Sequence, residues 1–240
     1  MSTGTYVAIS AQIAMERRLE AIASNIANIN TAGYRAVGVR FSTELAQAGQ
    51  VQVNFASQGE AYVMRNQGPI AHTGNNLDVA VDGDGWFALE APDGTVYTRD
   101  GRFYMTDNGD LQSVNGYSVL DSGGAPITLD PTGGPVKIGE NGGISQGGQR
   151  LGVIGLFAIP ADAKLTRHDN SAVISDKPAD PVVDMTASSV RQGYVEGSNV
   201  NSIVEMTRLI EASRAFDQAT AALSQDDQLT QEAIKTLAPA

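Results

Sequence analysis

Glycine and proline are distributed unevenly along this chain, and this distribution restricts its fold more than any other feature. Residues 6–30 and 206–237 contain neither of them. By contrast, 17 of the 26 glycines fall within residues 83–155. Because glycine and proline interrupt helices and mark turns, we predict a long helix near each end of the chain and a turn-rich region between them.

The N-terminal stretch has the apolar spacing of a packed helix. Apolar residues recur at separations of 4, 3, 4 and 3, at Met15, Leu19, Ile22, Ile26 and Ile29. This spacing places their side chains along one face of a helix, as in a heptad seam. We expect the helix to end near Asn30, because Gly33 follows and glycine readily adopts the left-handed conformation of a C-terminal cap.

The C-terminal stretch has a weaker seam. Its main apolar residues are separated by 7, 7 and 14, at Leu209, Phe216, Leu223 and Leu237. The seam positions between them are small or polar, at Ser213, Thr220, Asp227 and Thr230. Leucine packing between two isolated helices would therefore be weak, and additional helical partners explain the pattern better.

The middle of the chain has the pattern of a β domain. Asp-Gly and Asn-Gly pairs at residues 93–94, 108–109 and 115–116 are typical of tight hairpin turns. Short strands fit between these turns, at residues 77–81, 86–89, 96–99, 103–105, 117–120, 136–138 and 151–157. Successive hairpins indicate an antiparallel sandwich or a partly open barrel.

The predicted fold class is α+β, with long N- and C-terminal helices that form a coiled-coil-like pair and flank a mainly antiparallel β domain. We expect four segments. Residues 1–32 form an N-terminal assembly helix, 33–76 an extended linker or short hairpin region, and 77–190 the antiparallel β domain. Residues 191–240 contain the C-terminal assembly helix and the segment that leads into it.

Composition excludes several classes of partner. The net charge of −11 and the lack of a basic cluster argue against nucleic acid, whose phosphates require Lys and Arg. Cysteine is absent, so a disulfide or thiolate metal site is excluded. No run of 18 apolar residues occurs, so we expect a protein that is not membrane-inserted. The N-terminus lacks the pattern of a cleavable signal peptide, so we expect any export to leave the chain unprocessed.

The residue types of familiar catalytic sites are scarce. Only two histidines occur, His72 and His168, and there is neither a G-x-S-x-G turn nor an H-E-x-x-H motif. The glycines are scattered among strands rather than placed before a helix, which excludes a nucleotide-binding loop. We therefore predict no enzyme: no catalytic residue, no cofactor and no metal.

Acidic residues in the β region keep one alternative open. Asp82, Asp84 and Asp110 lie close in sequence to further carboxylates and could belong to a polysaccharide-acting enzyme or a calcium-binding module. Trp86, however, occupies the third ligand position counted from Asp82 in a calcium loop. Asp at hairpin tips also has a simpler explanation, because it bonds its own backbone before glycine.

Three separated blocks match a known family. The first is IASNIANINTAGYRA at residues 22–36, and the second is LDVAVDGDGWFAL at 77–89, followed by YTRDGRF and GYSVL. The third is QGYVEGSNVNSIVEMTRLIEASRAF at 192–216. The chain resembles flagellar basal-body rod proteins, with Trp86 where the family usually has Phe and Val195 where it usually has Leu.

This resemblance implies a structural subunit of the bacterial flagellar rod, the periplasmic driveshaft that transmits torque from motor to hook. The short chain looks more like a proximal-rod member than a distal-rod or hook subunit. In the family, terminal helices line the inner tube, and the partners are other rod subunits and copies of the same chain. The implied assembly interface consists of apolar and amide residues of both helices: Met15, Leu19, Ile22, Asn25, Ile26, Asn28, Ile29, Met206, Leu209, Ile210, Phe216 and Leu223. For Asn25 and Asn28, a capping role and an intersubunit contact both remain open.

Overall fold

The structure, a computed structural model, describes residues 3–48, 51–56, 59–183 and 188–237. It divides into two compact units. Unit 1 contains Met1–Ala27, Val37–Tyr62 and Asn201–Ala240, whereas unit 2 contains Asn28–Ala36 and Val63–Val200. Each unit is thus assembled from segments that are distant in the sequence.

Unit 1 contains the two helices, α1 (Thr3–Ala27) and α2 (Ser202–Leu237), which pack against each other. Asn201 caps α2, because its Oδ1 accepts hydrogen bonds from the backbone N–H groups of Ile203 and Val204 at 3.1 and 3.2 Å. Glu205 in the first turn of α2 also interacts favourably with the helix dipole. The capping asparagine thus explains why α2 begins at Ser202, four residues before the predicted start at Met206.

Unit 1 also contains short strands from the region between the helices: β1 (Val37–Arg40), β2 (Thr43–Ala48), β3 (Val51–Ala56) and most of β4 (Glu60–Val63). Strand β1 pairs with β4, and β2 pairs with β3 in an antiparallel hairpin. Helix α1 packs against β1 and β3 as well as against α2.

The predicted fold class is therefore corrected. The coiled-coil-like pair flanking a separate β domain is wrong, because the helices share a unit with strands and α1 contacts both kinds of element. The helices are also unequal, with 25 residues in α1 and 36 in α2. Among the α2 side chains that the structure describes, the buried ones are Glu205 and Ala212, and such small or polar residues do not form leucine knobs. The helix at each end and the mainly antiparallel β region between them are confirmed.

The described part of unit 2 contains sixteen further strands. In chain order they are β5 (Ile70–His72), β6 (Val79–Gly83), β7 (Trp86–Ala91), β8 (Gly94–Thr98), β9 (Phe103–Met105), β10 (Leu111–Ser113), β11 (Ser118–Val119), β12 (Val136–Ile138), β13 (Gly143–Gln146), β14 (Gln149–Val153), β15 (Leu156–Ala158), β16 (Leu165–Arg167), β17 (Ala172–Ser175), β18 (Asp180–Pro181), β19 (Ser188–Gln192) and β20 (Tyr194–Glu196).

Nine of these strands form the main antiparallel sheet of unit 2. Seven run in the order β16-β17-β8-β7-β11-β10-β9, while β15 pairs with β7 and β18. A smaller sheet has the order β12-β13-β14. The C-terminal strands join the unit through β19, which pairs with β6, and β20, which pairs with β5.

The core of unit 2 lies between these sheets. Its buried side chains are mainly aliphatic, with Phe87 and Phe103 in an edge-to-face contact at 5.2 Å between ring centroids. Phe87, Ile144 and Ile154 have no exposed surface. Unit 2 therefore has a complete apolar core of its own.

Candidate functional site

Two segments from opposite ends of the sequence lie against each other in unit 2. The N–H of Gly33 donates to the carbonyl of Glu196 at 2.8 Å, and the N–H of Asn199 donates to the carbonyl of Tyr34 at 3.3 Å. The Asn199 side chain accepts a further hydrogen bond from the N–H of Ala36 at 2.7 Å. We call residues 31–36 and 194–199, with the side chains that hold them, the terminal junction.

Gly33 permits the close approach of the N-terminal segment to the β domain. Its φ is +67°, in the left-handed region, and a Cβ placed there would lie 2.1 Å from the backbone nitrogen of Asp100. Any larger residue would therefore collide with backbone atoms as well as strain the chain. Sequence reasoning assigned Gly33 to backbone geometry, but the neighbour that requires glycine lies 67 positions away.

The carboxylate of Glu196 is the centre of the terminal junction. Its Oε1 lies 2.7 Å from Nη1 of Arg35 and accepts from the N–H of Gly68 at 2.8 Å. Its Oε2 lies 3.2 Å from Nη1 of Arg99. Glu196 is fully buried, and both arginine side chains are at most 3% exposed. Removing one member of such a buried cluster costs about 3–5 kcal/mol, because it leaves the other charges uncompensated.

Two guanidinium groups share this single carboxylate, and Trp86 compensates part of the excess positive charge. The guanidinium carbons of Arg35 and Arg99 each lie 5.5 Å from the centroid of the Trp86 ring. Burial lowers the pKa of Arg35 to about 10, opposed by the charge of Glu196. Burial also lowers the pKa of Arg99, opposed by the same carboxylate. A guanidinium group is not deprotonated in proteins at neutral pH, so both arginines carry a positive charge.

A third arginine holds the aromatic residue of the N-terminal segment. The guanidinium carbon of Arg167 lies 4.2 Å from the centroid of the Tyr34 ring, and its Nη2 donates to the carbonyl of Arg35. Its Nη1 donates to the carbonyl of Asn170 at 2.9 Å. Burial lowers the pKa of Arg167. Tyr34, fully buried, is therefore fixed through both its ring and its neighbouring backbone.

Unit 1 has a polar contact of its own between its segments. Asn25 of α1 accepts from the N–H of Val37 at 2.8 Å and donates to the carbonyl of the same residue at 3.0 Å. Its Nδ2 also lies 3.3 Å from Oε2 of Glu205 in α2, and Oε1 of Glu205 pairs with Arg208 at 2.6 Å. Asn25 and Glu205 are both buried. This amide thus joins β1 to both helices.

The structure separates the predicted assembly residues into different environments. Ile22 and Asn25 are buried, while Met206 and Ile210 are each 53% exposed. The remaining members are partly buried: Met15, Leu19, Ile26, Asn28, Ile29, Leu209, Phe216 and Leu223. In unit 2, Oδ1 of Asn28 accepts from the hydroxyl of Thr31 at 3.0 Å, as expected for a residue at a helix end.

Exposed apolar residues lie away from the seam of α2. At about 3.6 residues per turn, Met206 and Ile210 lie roughly 100° and 140° around the helix from Glu205. Ile203, which is 76% exposed, lies on the same side. On α1, Ile9 and Ile13 are 38% and 40% exposed. Sequence reasoning missed these three isoleucines, although the four-residue spacing of Ile9 and Ile13 is a helical signal that lies off the predicted seam.

The acidic and histidine residues considered in the sequence have separate neighbours in the described structure. Asp82 lies 3.7 Å from Arg191 as an exposed ion pair, and Asp110 lies in an isolated bridge with Thr128. His72 stacks edge-on against Tyr194, and His168 lies beside Tyr117. Within the described ranges, no three His, Asp or Glu side chains are grouped as a metal ion would require.

Sequence reasoning also did not identify the buried charges of the terminal junction. Arg35 and Glu196 lie within the family blocks, and Arg99 lies in the second block, but nothing in the local sequence distinguishes a buried arginine from an exposed one. In the sequence, Trp86 stands out as the residue that interrupts a calcium loop and as a departure from the usual Phe, and neither observation places it beside two arginines. Neither described helix has the length and apolarity to cross a membrane.

Three family models match the chain. The N-terminal model, "Flagella basal body rod protein", matches residues 6–35, and the C-terminal model, "Flagellar basal body rod FlgEFG protein C-terminal", matches 191–236. Between them, the "Flagellar hook protein FlgE/F/G D1 domain" matches residues 80–146. These matches define the class as the proteins of the flagellar rod and hook.

Full-length relatives narrow the class. The chain is 48% identical to the flagellar basal-body rod protein FlgF of Mesorhizobium japonicum and 43% identical to that of Rhizobium meliloti, covering 99% of this chain and 98% of each relative. It is 36% identical to the rod protein FlgG of Agrobacterium fabrum, over 96% of this chain and 98% of the relative. The chain therefore belongs to the flagellar basal-body rod protein family, as a member of the FlgF type, and is a structural subunit of the rod.

Proposed function

We propose that this subunit joins the proximal part of the periplasmic rod through its terminal helices, contacting copies of itself and homologous axial proteins, and that these contacts transmit torque. The observation that carries the proposal is the exposure of Ile203, Met206 and Ile210 on one side of α2. Exposed apolar side chains that align on one helix face are typical of a surface that another chain covers.

Energetics support the same conclusion. Burying one large aliphatic side chain contributes about 1.5–3 kcal/mol, so several such residues supply a substantial part of an assembly contact. Ile9 and Ile13 provide a second apolar patch on α1. Contact between two different patches on identical chains does not close into a dimer, and it generates a helical array when the rotation does not complete a ring. A rod requires this type of contact.

The partly buried members of the predicted interface have a different part in this proposal. Leu209, Phe216 and Leu223 follow the seven-residue spacing on the side of α2 that includes Glu205 and Ala212, so they hold α2 within its own subunit. Met206 and Ile210 then contact neighbouring subunits. The proposed rod thus uses one side of α2 for folding and another for assembly.

The test replaces Met206 and Ile210 together with serine in a motile host that lacks its own copy of the gene. We expect the variant to be produced at a normal level, with wild-type helix content by circular dichroism, but to be lost from purified basal bodies together with swimming. The matched control, Glu211→Ser with Gln218→Ser, changes two exposed polar positions that lie roughly 240° and 220° around the helix from Glu205, outside the apolar side. Normal recovery of the Met206 and Ile210 variant in basal bodies would refute the proposal.

A further inference from the structure

The two segments of the terminal junction are held by unit 2 in unequal ways. The C-terminal segment pairs with the β domain through its main chain, because β19 pairs with β6 over five residues and β20 pairs with β5 over three. The N–H of Gly197 also donates to the carbonyl of Pro69 at 2.8 Å. Residues 31–36, in contrast, contain no strand. The C-terminal segment therefore has anchors that do not involve the N-terminal one.

The N-terminal segment relies on the C-terminal one for much of its own binding. Gly33 donates to the backbone of Glu196, and Ala36 donates to the side chain of Asn199. Asn199 in turn donates its N–H to Tyr34. Residues 33–36 also contact other parts of unit 2, such as Arg167, but these three hydrogen bonds form only when residues 196–199 are in place.

Charge makes this dependence stronger. With residues 194–199 docked and residues 31–36 absent, Glu196 and Arg99 still form a balanced pair of one carboxylate and one guanidinium. In the reverse case, Arg35 would be buried beside Arg99 and Trp86 without the carboxylate that both arginines share. Burying two neighbouring cations without their counter-ion is strongly unfavourable.

We propose that Glu196 makes docking of the N-terminal signature segment conditional on prior docking of the C-terminal one. The β domain and residues 188–199 form first, and residues 31–36 bind to the site that Glu196 and Asn199 complete. The chain then cannot fix the segment that follows α1 until the segment that precedes α2 is in position. This order concerns folding within one subunit and is independent of the proposed assembly contacts.

Hydrogen exchange on the unmodified full-length chain provides the first test. In the proposed order, residues 31–36 can open while residues 194–199 stay docked, but residues 194–199 cannot open while residues 31–36 stay docked. The amides of Gly33 and Ala36 should therefore exchange at least as fast as the amide of Gly197. Mass spectrometry of peptides covering the two segments measures these rates. Markedly slower exchange at Gly33 and Ala36 than at Gly197 would overturn the proposed order.

Two substitutions test the asymmetry directly. We expect Glu196→Gln to accelerate exchange of residues 31–36 by about 100-fold or more, because it removes the shared counter-ion. Arg35→Met should accelerate exchange of residues 31–36 but leave residues 194–199 protected. Asp82→Asn is the matched control, since it also neutralises a carboxylate paired with an arginine, but at an exposed position. It should change exchange at neither segment.

Reciprocal effects of the two substitutions would contradict the proposal. If Arg35→Met exposed residues 194–199 as strongly as Glu196→Gln exposes residues 31–36, docking would be mutual rather than ordered. Protection of residues 31–36 in folded Glu196→Gln would likewise refute the role of the carboxylate. Should Glu196→Gln not fold, the comparison of Gly33, Ala36 and Gly197 in the unmodified chain still decides the order.

Discussion

The β core of unit 2 and the helices of unit 1 differ in how far they bury their apolar side chains. Unit 2 buries Phe87, Ile144 and Ile154 completely, so its sheets enclose their own core. In α2, Ala212 is the one buried apolar residue among the described side chains, while Ile203 is 76% exposed. A sheet domain with many non-local pairs can cover its apolar surface within one chain, whereas a long helix presents sides that a single neighbouring helix does not reach. The difference supports the proposal that other chains cover the exposed side of α2, while unit 2 encloses its core by itself.

The largest expected effect tests the self-sufficient core. Phe87→Ala should lower the free energy of unfolding by about 3–5 kcal/mol, because it creates a cavity and removes the contact with Phe103. Chemical denaturation of the purified chain, followed by circular dichroism, measures the change. Tyr104→Ala is the control, because Tyr104 directly follows Phe103 in β9 and is 42% exposed. A loss below about 1 kcal/mol in Phe87→Ala would mean that the core is not as closely packed as we describe.

An intermediate effect is expected at the polar contact within unit 1. Asn25→Ala removes the hydrogen bonds to both backbone groups of Val37 and leaves Glu205 with one fewer partner. We expect a loss of about 1–3 kcal/mol in stability, the usual cost of unsatisfied buried polar groups. Protection of β1 amides in hydrogen exchange should fall at the same time. Asn30→Ala, at an exposed asparagine nearby in sequence, should have almost no effect.

The prediction would be contradicted if Asn25→Ala lowered the free energy of unfolding no more than Asn30→Ala does. That result would mean that unit 1 is held together by the other contacts between its helices and strands, and that the Asn25 amide contributes little to its stability. The alternative of a purely capping role for Asn25 would then also be excluded, since a cap contributes measurable stability.

The smallest effect on stability is expected at the exposed side of α2. Ile203→Ser should change the free energy of unfolding of the isolated chain by less than about 0.5 kcal/mol, because the side chain has few partners to lose. Denaturation under the conditions used for Phe87→Ala allows a direct comparison. A loss of about 2 kcal/mol or more would show that Ile203 packs inside its own subunit and is not free for assembly.

Local sequence patterns predicted several elements closely. Strands at residues 103–105 and 136–138 have the predicted bounds, and the strand predicted at residues 86–89 extends to Ala91. Helix α1 ends at Ala27, three residues before the predicted end. Turn pairs and helix breakers act over a few residues, so their signals can be read directly from the chain.

The region between α1 and the β domain was much harder to predict. Residues 33–76 contain five strands, of which β1 pairs with β4 and β5 pairs with the distant β20. These strands are short, and their partners are set by tertiary contacts rather than by alternation along the chain. The same limitation explains why Arg35, Arg99 and Arg167 could not be distinguished from surface arginines.

The sequence by itself determined the helix at each end, the turn-rich antiparallel region between them and the resemblance to rod proteins, because periodicity, turn residues and motifs are local properties. Only the tertiary structure decided which apolar residues of α2 remain exposed and that two arginines share Glu196. Burial and charge pairing depend on segments that are far apart in the chain, and those partners become neighbours only when the chain has folded.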